Sequence, residues 1–356
     1  MRINRNISNK RVLHGGPFSI KYPNSDILDF SSNISPLGAS LLVRKTIKNH
    51  LKSIQIYPDP ESTQLTKNLQ YYTKIHSSQI VIGNGATEII YNFCQAFLSI
   101  KTPVLIPIPT FGEYEFAATL SGAKVSFFKT MNLENDVDDF ISNLPSNGCI
   151  FICNPNNPTG NLITKKTLQK IIASANQKKT LVFVDECFIE LVPDHDESVI
   201  KLIKNYSNLF ILRSLTKSFA LAGLRIGYGI GSKQIISILN KIKIPWNVSG
   251  LAQHAAIAAL TDLTYLDKVK TIIKKESLYL INCISKLNNF QCMSTSTNFI
   301  LIKTKIKSKI LQKKLLEKKI LIRDCSTIRG LNDHYIRIAV KTRKENDKLI
   351  KTLEML

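Results

Sequence analysis

Arg213-Ser214-Leu215-Thr216-Lys217, with Arg225 eight residues beyond the lysine in Gly223-Leu224-Arg225-Ile226-Gly227-Tyr228, is the stretch on which the reading of this chain turns. In a chain with 48 Lys and Arg residues, a single lysine is ordinarily a solvated charge. Its surroundings argue otherwise. Upstream stand Asn156-Asn157-Pro158-Thr159-Gly160 and Leu181-Val182-Phe183-Val184-Asp185-Glu186, each closing an apolar run of the kind that forms a buried parallel strand. Further apolar runs are Ile80-Val81-Ile82, Val104-Leu105-Ile106, Val125 to Phe128, Ile150-Phe151-Ile152, Phe210-Ile211-Leu212 and Arg225 to Ile230. Helical patterns alternate with them; in Thr87 to Leu98, Ile90, Phe93 and Phe97 share a face. This alternation predicts an α/β fold with a mostly parallel central sheet flanked by helices. Such sheets bind ligands at the carboxyl ends of their strands, where Asn157, Asp185, Lys217 and Arg225 would converge.

The 356 residues allow a large domain and a smaller one. The texture changes after Trp246: a helical stretch from about Leu251 to Leu287 leads to short strands at Asn298 to Ile302, Ile320 to Arg323 and Tyr335 to Ala339. The expected division is an arm or lid over 1–40, a large domain over 41–250 and a small α+β domain over 251–356. The net charge of +22 is spread along the chain, without the basic element interleaved with aromatics that reads nucleic acid. Its densest run, Lys303 to Lys319, reads as a strand end and a helix with Ile310, Leu311, Leu315 and Leu316 inside. A field of this sign also speeds encounter with anionic substrates. No apolar run approaches the roughly 18 residues of a membrane span. Met1-Arg2-Ile3-Asn4-Arg5-Asn6 lacks the apolar core of a secretion signal. Seven cysteines without a CxxC pair read as buried hydrophobes, Cys149 and Cys153 bracketing a strand. The expectation is a cytoplasmic protein with no membrane, nucleic-acid or metal partner.

An amide, a carboxylate, a nucleophilic amine and a guanidinium, in this order along the chain, suit pyridoxal 5'-phosphate. Lys217 would attach the cofactor and then act as acid and base. Asp185 would keep the pyridine nitrogen protonated, and Asn157 would donate to the ring oxygen. Arg225 offers a bidentate guanidinium to the phosphate, with the hydroxyls of Ser214 and Thr216 beside it. Gly85-Ala86-Thr87 opens a helix whose amides form an anion site. Phe111 lies just past a strand end, where it can stack on the ring.

These residues resemble the fold-type I pyridoxal-phosphate enzymes, in particular the class II aminotransferase group that contains the histidinol-phosphate aminotransferases. The resemblance covers nearly the whole chain. Within the group, the chain is most similar to the L-threonine-O-3-phosphate decarboxylases of cobalamin biosynthesis, on His14-Gly15-Gly16, Leu28-Asp29-Phe30-Ser31-Ser32-Asn33-Ile34-Ser35-Pro36-Leu37-Gly38, Tyr57-Pro58-Asp59 and Ile320-Leu321-Ile322-Arg323. The resemblance implies that His14, Gly15, Asn33, Asn157, Arg323 and Arg337 contact a phosphorylated amino acid. It also implies that Tyr57 reaches the cofactor phosphate of a neighbouring subunit, making a homodimer with a shared site. Two positions depart from the wider pattern. Ser35 stands where Asn is usual, and Phe188 stands where aminotransferases carry a tyrosine. The expected reaction is decarboxylation of threonine phosphate to aminopropanol phosphate. The alternatives are a histidinol-phosphate aminotransferase, a decarboxylase preferring serine phosphate, and a regulator reusing the fold.

Overall fold

The computed structural model describes residues 11–20, 26–192 and 196–356. Met1 to Asn6, and with them part of the expected arm, lie outside the described residues. Seven strands form the large sheet: β1 (Ile80–Gly83), β2 (Pro103–Ile108), β3 (Lys124–Lys129), β4 (Cys149–Cys153), β5 (Leu181–Asp185), β6 (Leu209–Ser214) and β7 (Gly227–Gly231). Their spatial order is β1-β7-β6-β5-β4-β2-β3. Strands β2 to β6 run parallel to one another, whereas β7 is antiparallel to both β6 and β1. The strands are apolar on both sides because both faces are covered. Ile150, Ile152, Val182, Val184, Leu209 and Ile211 enter one core. Phe151, Phe183 and Phe210 point the other way, into a cluster with Phe93 and Tyr114.

The strand expected over Arg225 to Ile230 begins at Gly227 and runs against its neighbours. Arg225 therefore does not sit at a strand's carboxyl end; it precedes the amino end of β7. Because β7 is reversed, that end lies at the same sheet edge as the carboxyl ends of β4, β5 and β6. The strand's glycines have a packing reason. A Cβ on Gly229 would fall 2.3 Å from the Phe210 ring.

The long helix expected from Leu251 to Leu287 is two helices, Gly250–Thr261 and Leu263–Ile284. Asp262 separates them, its carboxylate accepting from the Tyr265 amide as the second helix's cap. Beyond lie β8 (Phe290–Cys292), β9 (Phe299–Thr304), β10 (Arg323–Asp324) and β11 (Tyr335–Ala339), an antiparallel sheet in the order β10-β11-β9-β8. The single strand expected over Ile320 to Arg323 is divided. Ile320-Leu321 pairs in parallel with Leu28-Asp29, and Arg323-Asp324 pairs with β11, the chain changing partner at the buried Ile322. Phe30 is thereby drawn into the small domain's core beside Ile300, Ile302, Ile336 and Ile338. In the helix Ser308–Glu317, Leu311 and Leu315 are buried as expected, but Ile310 is 51% exposed. It lies about 100° around the helix from Leu311, off the apolar stripe. No helix among the described residues is long and apolar enough to cross a membrane.

Candidate active site

Lys217 rides on a four-residue helix, Leu215–Ser218, that begins as β6 ends. Ser214 starts that turn by accepting from the Thr216 amide. A buried polar network anchors it from beneath. Arg213 donates to Glu186 at 2.8 Å and to Ser198 at 2.7 Å, while the hydroxyl of Ser218 donates to Glu190 at 2.8 Å. Every one of these groups is buried, so the charges are paired rather than solvated. The Lys217 amine is lowered to about 8, first by burial and then by the positive charge of Arg337. An amine in this range is a usable nucleophile near neutral pH.

Asp185 is the last residue of β5 and is 5% exposed. Its carboxylate accepts from the Tyr114 hydroxyl at 2.6 Å and from the Cys187 amide at 2.8 Å. Burial pushes its pKa up, and these two hydrogen bonds oppose the rise. A cation brought against it, such as a protonated pyridine nitrogen, would favour the ionised form. On the far side, Arg225 adopts a left-handed backbone (φ 56°). Its guanidinium packs so closely on Gly85 that a Cβ there would lie 2.4 Å from Nη2. Gly85 itself has φ +81°, a conformation glycine adopts freely, and it opens the helix Gly85–Phe97. The helix amino terminus, Arg225, Ser214 and Thr216 thus face one place, as an anionic phosphate needs.

The substrate side is built by the small domain and the amino-terminal segment. Arg337, 7% exposed, donates from Nη2 to the Ser31 carbonyl at 2.9 Å and from Nη1 to the Asn157 side-chain oxygen. Asn157 is left with its amide hydrogens to donate to a cofactor ring oxygen. Among the described residues, two buried polar atoms here have no partner, Arg337 Nε and Asn33 Oδ1. Buried orphans of this kind mark a place for a polar ligand. Burial lowers Arg337 to about 10. Arg323 donates to the Leu13 carbonyl, and the His14 Nε2 meets Glu113 Oε1 at 2.6 Å.

All these elements border one cleft of about 1040 Å³. Of the residues singled out from sequence, Ala86, Thr87, Phe111, Asn157, Asp185, Ser214, Thr216, Lys217, Arg225, His14, Gly15, Asn33, Arg323 and Arg337 line it. Gly85 lies behind Arg225. Tyr57 stands apart: it is 79% exposed, its ring 5.1 Å from that of Trp246, and it does not line this cleft. Sequence reasoning missed Tyr114, Glu113 and Ser31. For Tyr114 there was a signal, since it stands three residues past Phe111, and the two rings meet edge-on at 5.5 Å.

A family model for class I and II aminotransferases matches residues 25–353. The chain belongs to this family. Its cofactor is pyridoxal 5'-phosphate, and the buried Asp185 and the glycine-floored anion site suit that group's two ends. Histidinol-phosphate aminotransferase 2 of Archaeoglobus fulgidus is 35% identical over 338 residues, 95% of each chain. The solved histidinol-phosphate aminotransferase of Clostridium acetobutylicum is 36% identical, with a TM-score of 0.85 over 92% of this chain and 98% of that one. The solved L-threonine-O-3-phosphate decarboxylase of Porphyromonas gingivalis is 28% identical, with a TM-score of 0.83 over 92% of this chain and 99% of that one.

Proposed function

We propose that this member of the aminotransferase family decarboxylates L-threonine O-3-phosphate to (R)-1-amino-2-propanol O-phosphate. The observation that carries the reading is the pair of small-domain arginines at the cleft. Arg337 is buried with its Nε unpartnered, and Arg323 stands on the antiparallel strand next to it. Two guanidiniums suit a substrate with two anionic groups, a phosphate and a carboxylate. Phe188 supports the same side of the choice. It is buried at the cleft wall, packed edge-on against Phe299 at 5.1 Å, and brings no hydroxyl to the ring.

When bound, pyridoxal phosphate supplies an electrophilic aldehyde and a ring that withdraws electrons from the substrate's α-carbon. Lys217 Nζ would hold the cofactor through that aldehyde and, as the amine beside the substrate's α-carbon, would hold and move a proton there. Asp185 would face the pyridine nitrogen and favour its protonated form. Asn157 would donate to the ring oxygen, while Arg225, Ser214 and Thr216 would hold the cofactor phosphate. Arg323, with His14 and Gly15, would anchor the substrate phosphate; Arg337, Asn157 and Asn33 would hold the carboxylate and so choose which bond to Cα is broken. With CO₂ released from Cα, Lys217 would deliver the proton that takes its place. Tyr57, exposed beside Ile54, Ile56 and Trp246, would complete the phosphate site of a second copy, so the active form is a homodimer in a cytoplasmic setting.

The similarity to histidinol-phosphate aminotransferases favours a second reading, in which the bond broken is Cα–H and Arg337 takes the carboxylate of an amino-donor acid. Threonine phosphate supplied alone to the cofactor-loaded protein separates the two. Release of CO₂ and aminopropanol phosphate without a keto acid is the expected result. Product that forms only with 2-oxoglutarate, or turnover confined to histidinol phosphate, assigns the aminotransferase reaction instead. Serine phosphate, one methyl smaller, serves as the third substrate, since a pocket discriminates a methyl by only about 1–3 kcal/mol.

A further inference from the structure

We infer that Glu113 is a positioning residue that sets specificity for the phosphorylated substrate by fixing His14, through a Tyr91–Glu113–His14 chain. The inference rests on the reading of the substrate as a phosphorylated amino acid. Glu113 opens the helix Glu113–Leu120, and its side chain is only 7% exposed. Both carboxylate oxygens are engaged: Oε1 with His14 Nε2 at 2.6 Å, and Oε2 with the Tyr91 hydroxyl, which donates at 2.6 Å. Tyr91 belongs to the helix Gly85–Phe97, whose amino terminus forms the cofactor's anion site. The carboxylate does not line the cleft, whereas His14 does, so Glu113 acts on a ligand only through the imidazole.

The chemistry follows from which ring nitrogen is occupied. A carboxylate accepting from Nε2–H fixes that proton's place, leaving Nδ1 as the nitrogen available to a ligand. Among the described residues Nδ1 has no hydrogen-bond partner. A phosphate oxygen is an acceptor, so a phosphate seated there would share a proton with Nδ1 while the Glu113 carboxylate balances the ring's charge from the other side. Burial opposes the charge on Glu113, but the hydrogen bonds from His14 and Tyr91 hold its carboxyl below the usual range. The backbone is equally constrained. A Cβ on Gly112 would lie 3.1 Å from Val12 Cγ1, Arg323 binds the Leu13 carbonyl, and Gly16 N donates to the Ser31 hydroxyl at 2.7 Å. The segment carrying His14 is thereby clamped between the two domains, with Glu113 as its charged contact on the large one.

The test compares wild-type, Glu113→Gln, His14→Asn and the double variant, each loaded with cofactor. Binding of O-phospho-L-threonine, histidinol phosphate and L-threonine is followed by spectral titration. Glu113→Gln should weaken the phosphorylated ligands by roughly tenfold or more, as loss of a charge-assisted hydrogen bond implies. L-Threonine should change by less than about twofold, and Glu113→Gln should add nothing on a His14→Asn background. Equal weakening of all three ligands, or additive single effects, overturns the inference. If Glu113→Gln does not load cofactor, Tyr91→Phe removes one hydrogen bond from the same carboxylate. It should give a smaller effect with the same phosphate selectivity, and its absence overturns the inference equally. Wild-type protein that binds neither phosphorylated ligand refutes the proposed function instead.

Discussion

Arg337→Ala perturbs two properties of the site at once, which makes it the sharpest probe of the arrangement. The guanidinium is 7% exposed and is held by Ser31 and Asn157, with Nε free for a ligand. Truncation leaves a substrate carboxylate in a buried place without its counter-charge, which costs roughly 2–5 kcal/mol. That converts to a loss of roughly 30- to 5,000-fold in kcat/KM. The second property is the nucleophile. After burial, the Arg337 charge is the largest influence holding Lys217 at about 8. A positive neighbour disfavours the ammonium, so its removal must raise the lysine's pKa. Attachment of pyridoxal phosphate to the cofactor-free protein requires the neutral amine. Its rate should therefore rise through a midpoint near the lysine's pKa in wild type, and that midpoint should move to higher pH in Arg337→Ala. Stopped-flow absorbance across a pH series measures it, and substrate titration of the loaded protein measures the first effect. An unmoved midpoint together with unchanged substrate binding would refute both the carboxylate role and the electrostatic account of Lys217.

Lys217→Ala should abolish covalent retention of pyridoxal phosphate after borohydride treatment, read by intact mass; an adduct of equal stoichiometry excludes Lys217 as the attachment point. Gly85→Ala combines φ +81° with a Cβ 2.4 Å from Arg225, so cofactor affinity should fall by about tenfold or more in equilibrium dialysis, with the fold retained. Arg213→Ala strands the buried Glu186 and Glu190 without their cation and should destabilise the protein by about 3–5 kcal/mol, visible in thermal unfolding.

Strand and helix periodicity is local, and that is why so much was legible in the sequence. Uninterrupted apolar runs such as Cys149–Cys153 and Leu181–Asp185 needed no partner to be recognised as doubly covered strands. The spacing of Ser214, Thr216, Lys217 and Arg225 likewise carried the anion site and its nucleophile, because one loop and its return supply all four. Direction and pairing are not local. Nothing within Gly227–Gly231 distinguishes an antiparallel strand from a parallel one, and only its contacts with β1 and β6 decide it. The break at Asp262 was equally hidden, since a cap between two helices and a polar residue within one share the same apolar stripe. The partners that tune the chemistry came only with tertiary structure: Tyr114 on Asp185, Glu113 on His14, and Ser31 with Asn157 on Arg337, the last across 306 and 180 residues of chain. Each is a hydrogen bond between groups that meet only when separate elements pack. The residue types that carry the reaction are therefore written in the sequence, whereas their protonation and orientation are decided by the fold.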